Sequence, residues 1–125
     1  MQNKHERQKE KKICGEAYQF IVDQIIGMIE IDIESYLFKI LGLRLHFNRW
    51  SNGGLDIYIN DPEYCTVNKF DKLEFNDDDI DDILIVEHLH EEDMLWFIMN
   101  YQQEKQVMKD RIDKYIKFKR RNIFK

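Results

Sequence analysis

Carboxylates crowd the middle of this chain. Residues 54–93 carry fourteen acidic side chains and two basic ones, Lys69 and Lys72, for a net charge of −12. Carboxylates this close together repel one another unless they stay solvated or meet a basic partner. The segment therefore predicts either a solvated loop or a surface that imitates phosphates and binds a basic protein. The densest run is Asp77, Asp78, Asp79, Asp81 and Asp82.

A calcium loop is a further interpretation of this run, because oxygen ligands suit a hard cation. The pattern lacks the glycine and the distal glutamate of an EF-hand loop, which favours a protein-binding surface instead. The expected contacts with a protein partner are Asp77, Asp78, Asp79, Asp81, Asp82, Glu74, Glu91 and Glu92.

The end of the chain has the opposite charge. Residues 94–125 hold nine basic and three acidic side chains, a net +6, with Tyr115, Phe118 and Phe124 interleaved. A basic helix with aromatic residues can contact phosphates and stack on bases, which is the alternative function. The acidic segment would then inhibit this binding within the molecule (an intramolecular brake) or form a dimer contact. A simpler explanation of the basic residues is that cations near a helix C-terminus complement the helix dipole. The alternative nucleic-acid contacts are Lys109, Arg111, Lys114, Lys117, Lys119, Arg120 and Arg121.

Histidines suggest a second alternative, a metal-dependent hydrolase. His88 and His90 would share one side of a strand, and Glu91 and Glu92 follow them directly. No further ligand pair stands at a diagnostic spacing, so we expect neither a metal nor another cofactor.

Nucleophilic catalysis has little support in the sequence. The only serines, Ser35 and Ser51, lie outside a Gly-x-Ser-x-Gly frame, and no phosphate-binding loop or dinucleotide fingerprint occurs. We therefore expect a protein that is not an enzyme. Trp50 and Trp96 are expected in the core or at its rim, and an exposed tryptophan would be a natural anchor at an interface.

Composition bounds the class of protein. The 125 residues fit one domain, and 43% hydrophobic residues suffice for a core. No apolar stretch approaches the ~20 residues of a membrane span. Met1–Lys12 is charged throughout, unlike a secretory signal, and Cys14 and Cys65 show no CxxC spacing. We expect a cytoplasmic protein, with residues 1–12 and 118–125 as candidates for disorder.

Periodicity predicts two long helices. In the first, Val22, Ile26, Ile29, Ile33, Tyr36 and Ile40 recur every three or four positions, and Gly42 is expected to cap it. The second starts near Glu91, with carboxylates in its first turn and apolar residues at Met94, Ile98, Tyr101, Met108, Ile112 and Tyr115. These apolar stripes can be buried within one subunit or between two, so the sequence is compatible with a homodimer.

Alternating residues between these helices predict strands. Leu43–Phe47 and Leu55–Ile59 flank the turn residues 51–54, which indicates a hairpin with one apolar and one solvated face. Residues 64–75 are predicted as a third strand with a bend, and residues 83–89 as a fourth. The expected fold is α+β, in the order long N-terminal helix, antiparallel sheet of three to four strands and long C-terminal helix.

These features combine into one functional expectation. The chain has 17 isoleucines and one alanine, a bias that suggests a low-GC bacterium, its phage or a mobile element. By analogy of size and acidity, we expect a small inhibitor of the anti-CRISPR or anti-restriction type. It would block a host nucleic-acid-binding enzyme by charge mimicry.

Overall fold

The computed structural model describes residues 4–51, 53–75 and 80–123, and side chains at 15–51, 53–75 and 81–121. The expected α+β fold is confirmed. In chain order the elements are α1 (Lys4–Ile29), a π-helical turn (Glu30–Glu34), α2 (Ser35–Leu41), β1 (Arg44–Arg49), β2 (Leu55–Asn60), β3 (Cys65–Val67), β4 (Leu73–Phe75), α3 (Ile80–Ile83), β5 (Leu84–Leu89), a 3-10 turn (Glu91–Asp93), α4 (Met94–Met99) and α5 (Tyr101–Ile123).

The N-terminal helix contains a π turn that the sequence pattern did not predict. A π turn adds one residue to the helical repeat, so the residues that follow face the core one position later. Ile33 is fully buried as predicted, but after the turn Leu37 is fully buried and the predicted Ile40 is 37% exposed. Gly42 ends α2 with φ 70°, and its N–H donates to the Phe38 carbonyl at 2.8 Å, as expected for a cap.

The predicted hairpin is confirmed. β1 and β2 pair antiparallel from Arg44 opposite Asn60 to Arg49 opposite Leu55. β5 pairs with the other side of β2, which makes β2 the centre of a three-stranded antiparallel sheet. Leu55, Ile57 and Ile59 are fully buried in the core.

Residues 64–75 form a separate ribbon and not the predicted third strand. β3 and β4 pair with each other in a two-stranded sheet. The Asn68 side chain accepts hydrogen bonds from the N–H groups of Phe70 (2.9 Å) and Lys72 (3.0 Å), which folds the chain back in a tight turn.

The polar face of the hairpin is also covered, contrary to the expected solvated face. Asp56 and Tyr58 in β2 are only 5% and 7% exposed. The Phe75 ring of the β3–β4 ribbon packs edge-on against Tyr58, with ring centroids 5.2 Å apart. The ribbon therefore forms a layer over this part of the sheet.

The C-terminal helix is divided and not continuous from Glu91. Asn100 leaves the helical conformation between α4 and α5, with φ −109° and ψ 24°. The predicted apolar stripe still faces inward, because Met94, Tyr101, Met108, Ile112 and Tyr115 are all buried. Across the described part of the chain, the helices lack a stretch long and apolar enough to cross a bilayer.

Candidate protein-binding site

The described carboxylates of the predicted acidic surface lie in three places. Asp81 and Asp82 belong to α3, directly before β5, and Glu91 and Glu92 belong to the 3-10 turn after it. β5 has six residues, so about 20 Å of strand separates the two pairs. Glu74 is exposed on β4, in the separate two-stranded sheet. Asp77, Asp78 and Asp79 fall outside the described residues.

Asp81 and Asp82 share a groove with cations of the same chain. This cavity of about 560 Å³ lies between α3, β5 and α5 and is called here the α3–α5 groove. Lys114, Lys117 and Arg121 line it and are exposed. Opposite charges this close together reduce the net electrostatic potential that a binding partner would meet. Part of the acidic segment therefore faces the protein's own basic residues.

A second part of the segment is neutralised inside the fold. Asp61 is 3% exposed and accepts hydrogen bonds from the Tyr115 hydroxyl and from the Lys119 ammonium, the latter at 2.9 Å. Lys119 also pairs with Glu63. Burial raises the pKa of Asp61, but the bonds from Tyr115 and Lys119 outweigh it, so this pKa lies below its ordinary value.

A third carboxylate, Asp56, organises a buried polar cluster. Its Oδ2 accepts from Trp50 Nε1 at 2.6 Å and from the Tyr58 hydroxyl at 3.3 Å, and its Oδ1 accepts from the backbone N–H of His88. Burial, followed by the nearby charge of Asp56, raises the pKa of Tyr58 to about 12. Asp56 is therefore an internal acceptor and presents little charge to a partner.

The histidine pair lies beside this cluster. The rings of His88 and His90 meet edge to face, with centroids 4.4 Å apart. Among the described residues, no group of three histidines, cysteines, aspartates or glutamates is arranged to hold a metal ion. Of the residues that suggested a hydrolase, His88 packs against Trp50 and Gly54.

The predicted nucleic-acid contacts on α5 divide between two roles. Lys119 is tied to Asp61 and Glu63, Lys109 lies 5.6 Å above the Tyr36 ring, and Arg111 donates to the Ile85 carbonyl at 2.6 Å. Arg111 is exposed despite this bond, and the other four are exposed as well: Lys114, Lys117, Arg120 and Arg121. The structure thus brings only some of these cations to an open surface.

α4 presents an apolar surface that the sequence pattern did not single out. Its sequence is Met-Leu-Trp-Phe-Ile-Met, and burying Met94 and Phe97 turns Leu95, Trp96 and Met99 outward. Leu95 is 60% exposed, Trp96 54% and Met99 83%. Large apolar side chains grouped on the surface mark interaction sites more often than isolated ones do.

Trp96 lines a second groove with an acidic rim. This cavity of about 580 Å³ lies between β5, α4 and α5 and is called here the Trp96 groove. Its apolar lining includes Leu89 and Val107. Three carboxylates, Glu87, Asp93 and Glu104, line it against a single cation, Arg111.

The carboxylates of the Trp96 groove could not be recognised as a cluster from the sequence. Glu87, Asp93 and Glu104 are spread over three elements and form no run. The available signal was the six-residue apolar sequence of α4, since a surface helix ordinarily carries polar residues on one face.

Comparison of the chain with protein-family models, with curated proteins and with solved structures yields no match. The Trp96 groove and the charges around it are therefore the basis for assigning a function.

Proposed function

We propose that this protein is a non-catalytic binding protein whose Trp96 groove holds a basic segment of a protein partner. The observation that carries the proposal is the combination of a half-exposed tryptophan, an apolar lining and three carboxylates in one groove. Tryptophan is enriched among the residues that dominate binding energy, and a basic partner complements the carboxylates.

Electrostatics favours this groove over the acidic run. Glu87 and Asp93 are exposed, and together with Glu104 they outnumber the one cation that lines the groove, Arg111. Asp81 and Asp82, in contrast, share their groove with four cations: Arg111, Lys114, Lys117 and Arg121. Glu87 and Arg111 line both grooves. A cationic segment would therefore meet a more uniform negative field at Trp96.

The narrower form of the proposal is inhibition. Enzymes that act on nucleic acids present lysine- and arginine-rich surfaces to the phosphate backbone. A small acidic protein seated on such a surface would compete with nucleic acid both sterically and electrostatically. We propose that the chain acts in this way on a nucleic-acid-binding enzyme of a bacterial host.

A fluorescence titration tests the groove directly. The probe is a synthetic, end-blocked peptide of alternating lysine and leucine, added to protein carrying Trp50→Phe so that Trp96 alone reports. We expect the emission of Trp96 to shift to shorter wavelength. Salt should weaken binding, because exposed charge pairs are screened.

Two charge variants with the same net change locate the site. Glu87→Gln/Asp93→Asn/Glu104→Gln should weaken peptide binding about tenfold, from roughly 0.5 kcal/mol for each exposed pair. Asp81→Asn/Asp82→Asn/Glu74→Gln is the matched control and should change it little. Equal losses in both variants, or no binding at low salt, would show that the Trp96 groove is not the site.

A second candidate function rests on the exposed face of α5. Lys114, Lys117 and Arg121 line one groove with the partly buried Phe118 ring, an arrangement suited to a phosphate backbone and a stacked base. In this case Asp81 and Asp82 would weaken nucleic-acid binding by competing with the phosphates for these cations.

A gel shift with single-stranded DNA and RNA at low salt tests this candidate. Asp81→Asn/Asp82→Asn should then tighten binding, and Lys114→Gln/Lys117→Gln should abolish it. Nucleic acid that binds neither the wild type nor the aspartate variant would eliminate the candidate.

A further inference from the structure

α1 carries a second apolar stripe that faces away from the core. The core stripe of Val22, Ile25 and Ile29 is fully buried. On the opposite side, Phe20 of α1 is 64% exposed, and Ile31, in the π turn that continues this helix, is 74% exposed. The α1 stripe repeats at spacings of three and four residues and contains no charge: Ala17, Phe20, Gln24, Gly27 and Ile31.

α4 broadens this surface. Leu95 lines a groove together with Ala17 of α1, and Met99 follows Leu95 one helical turn later. Just beyond α4, Tyr101 at the start of α5 donates its hydroxyl to the Met28 carbonyl of α1 at 3.0 Å, which fixes this end of α4 beside α1. The exposed apolar side chains of this face supply on the order of 500 Å², a large share of the ~800 Å² that each partner gives to a standard interface.

We propose that this face binds a second copy of the chain, with the two α1 helices packed antiparallel about a two-fold axis. Apolar residues spaced by three and four are the pattern by which two helices pack side by side. A two-fold contact requires a self-complementary surface, in which residue i of one copy meets residue j of the other and the reverse.

Phe20 and Gly27 provide this complementarity. They are seven residues apart on the same face, so an antiparallel partner places each Phe20 ring over the Gly27 of the other copy. A Cβ built at Gly27 meets no atom within 4 Å, so the space above the glycine is open to receive a ring. Gln24 then lies near the two-fold axis, where its amide can bond to its counterpart.

Charge at the edge of the stripe distinguishes this contact from binding of a basic partner. Glu16 and Glu30 flank the stripe and are exposed, whereas Asp23 between them is paired with Arg49 at 3.0 Å. In the dimer these glutamates add like charge along the interface. Salt screens that repulsion, so the dimer should become tighter as ionic strength rises.

Sedimentation equilibrium of the full-length protein tests the proposal. The expected mass is about twice the 15.4 kDa of one chain, and raising the salt concentration should lower the dissociation constant. Gly27→Leu fills the space that the Phe20 ring of the partner would occupy, so the dissociation constant should rise by at least about tenfold.

Gly15→Leu is the matched control. Gly15 lies in the same helix but off the α1 stripe, and a Cβ there also meets no atom within 4 Å. This variant should leave the dimer unchanged, and circular dichroism of both variants verifies the fold. A wild type that stays monomeric at 100 µM, or a dimer that Gly27→Leu does not weaken, would overturn the proposal.

Discussion

Lys119 of α5 lies 2.9 Å from Asp61, the residue after β2, so the basic residues 94–125 are joined directly to the acidic residues 54–93. The Lys119 side chain is only 16% exposed and that of Asp61 only 4%. Opposed charges that are distant in sequence thus neutralise one another where the C-terminal helix packs on the sheet. The contact anchors α5, which supplies one wall of both grooves.

Replacing Asp61 should weaken the fold in a pH-dependent way. Asp61→Asn removes the charge that Lys119 and the Tyr115 hydroxyl contact, and should lower the free energy of unfolding by about 2 kcal/mol at pH 7. The pKa of Asp61 is lower in the folded protein than in the unfolded chain, so its contribution is present above pH ~4 and is lost as pH falls through the folded value.

Urea denaturation of wild type and Asp61→Asn at pH 7 and pH 3 measures this difference. The gap between the two proteins should narrow from pH 7 to pH 3, because protonation of Asp61 in the unfolded chain reduces the advantage of the folded carboxylate. Asp23→Asn is a suitable control, because the ion pair of Asp23 with Arg49 is exposed and should contribute little. A gap independent of pH would contradict the role assigned to the Asp61 charge.

The hydrogen bond from Trp50 to Asp56 should be measurable by a double-mutant cycle. Asp56→Asn leaves one oxygen for three donors and should destabilise the protein by about 2 kcal/mol. In a Trp50→Phe background the same change should cost about 1 kcal/mol less, because one of the donors is already absent. Urea midpoints followed by far-UV circular dichroism give the four free energies. Strictly additive costs would mean that this bond contributes nothing to stability.

Close packing at Gly54 predicts an unusual sensitivity to a single methyl group. A Cβ at Gly54 would lie 2.5 Å from Cε1 of His88, so the histidine ring must move. His88 has a φ of 40°, and Asp56 holds its N–H, which restricts that movement. Gly54→Ala should therefore cost about 2 kcal/mol.

Gly15→Ala provides the comparison, because its Cβ meets no atom within 4 Å and alanine favours a helix by about 1 kcal/mol. Thermal unfolding should move the two melting temperatures in opposite directions. A Gly54→Ala protein as stable as the wild type would show that the His88 ring relaxes freely.

Local patterns predicted the elements that depend on neighbouring residues. Alternation on either side of residues 51–54 was enough to place the β1–β2 hairpin, and Gly42 was enough to end α2. The same patterns failed at the π turn, because one inserted residue changes which later positions face inward. They also failed at residues 64–75, where the Asn68 side chain folds the chain into a turn.

The sequence by itself determined the fold class, the helical periodicity and the opposed charges of two segments, because each depends on residues close together in the chain. Only the tertiary structure decided which charges remain available to a partner. Asp61 and Tyr115 are 54 positions apart and meet only when α5 packs on the sheet. Trp96 is outward-facing for the same reason, since burial of Met94 and Phe97 leaves it no place in the core.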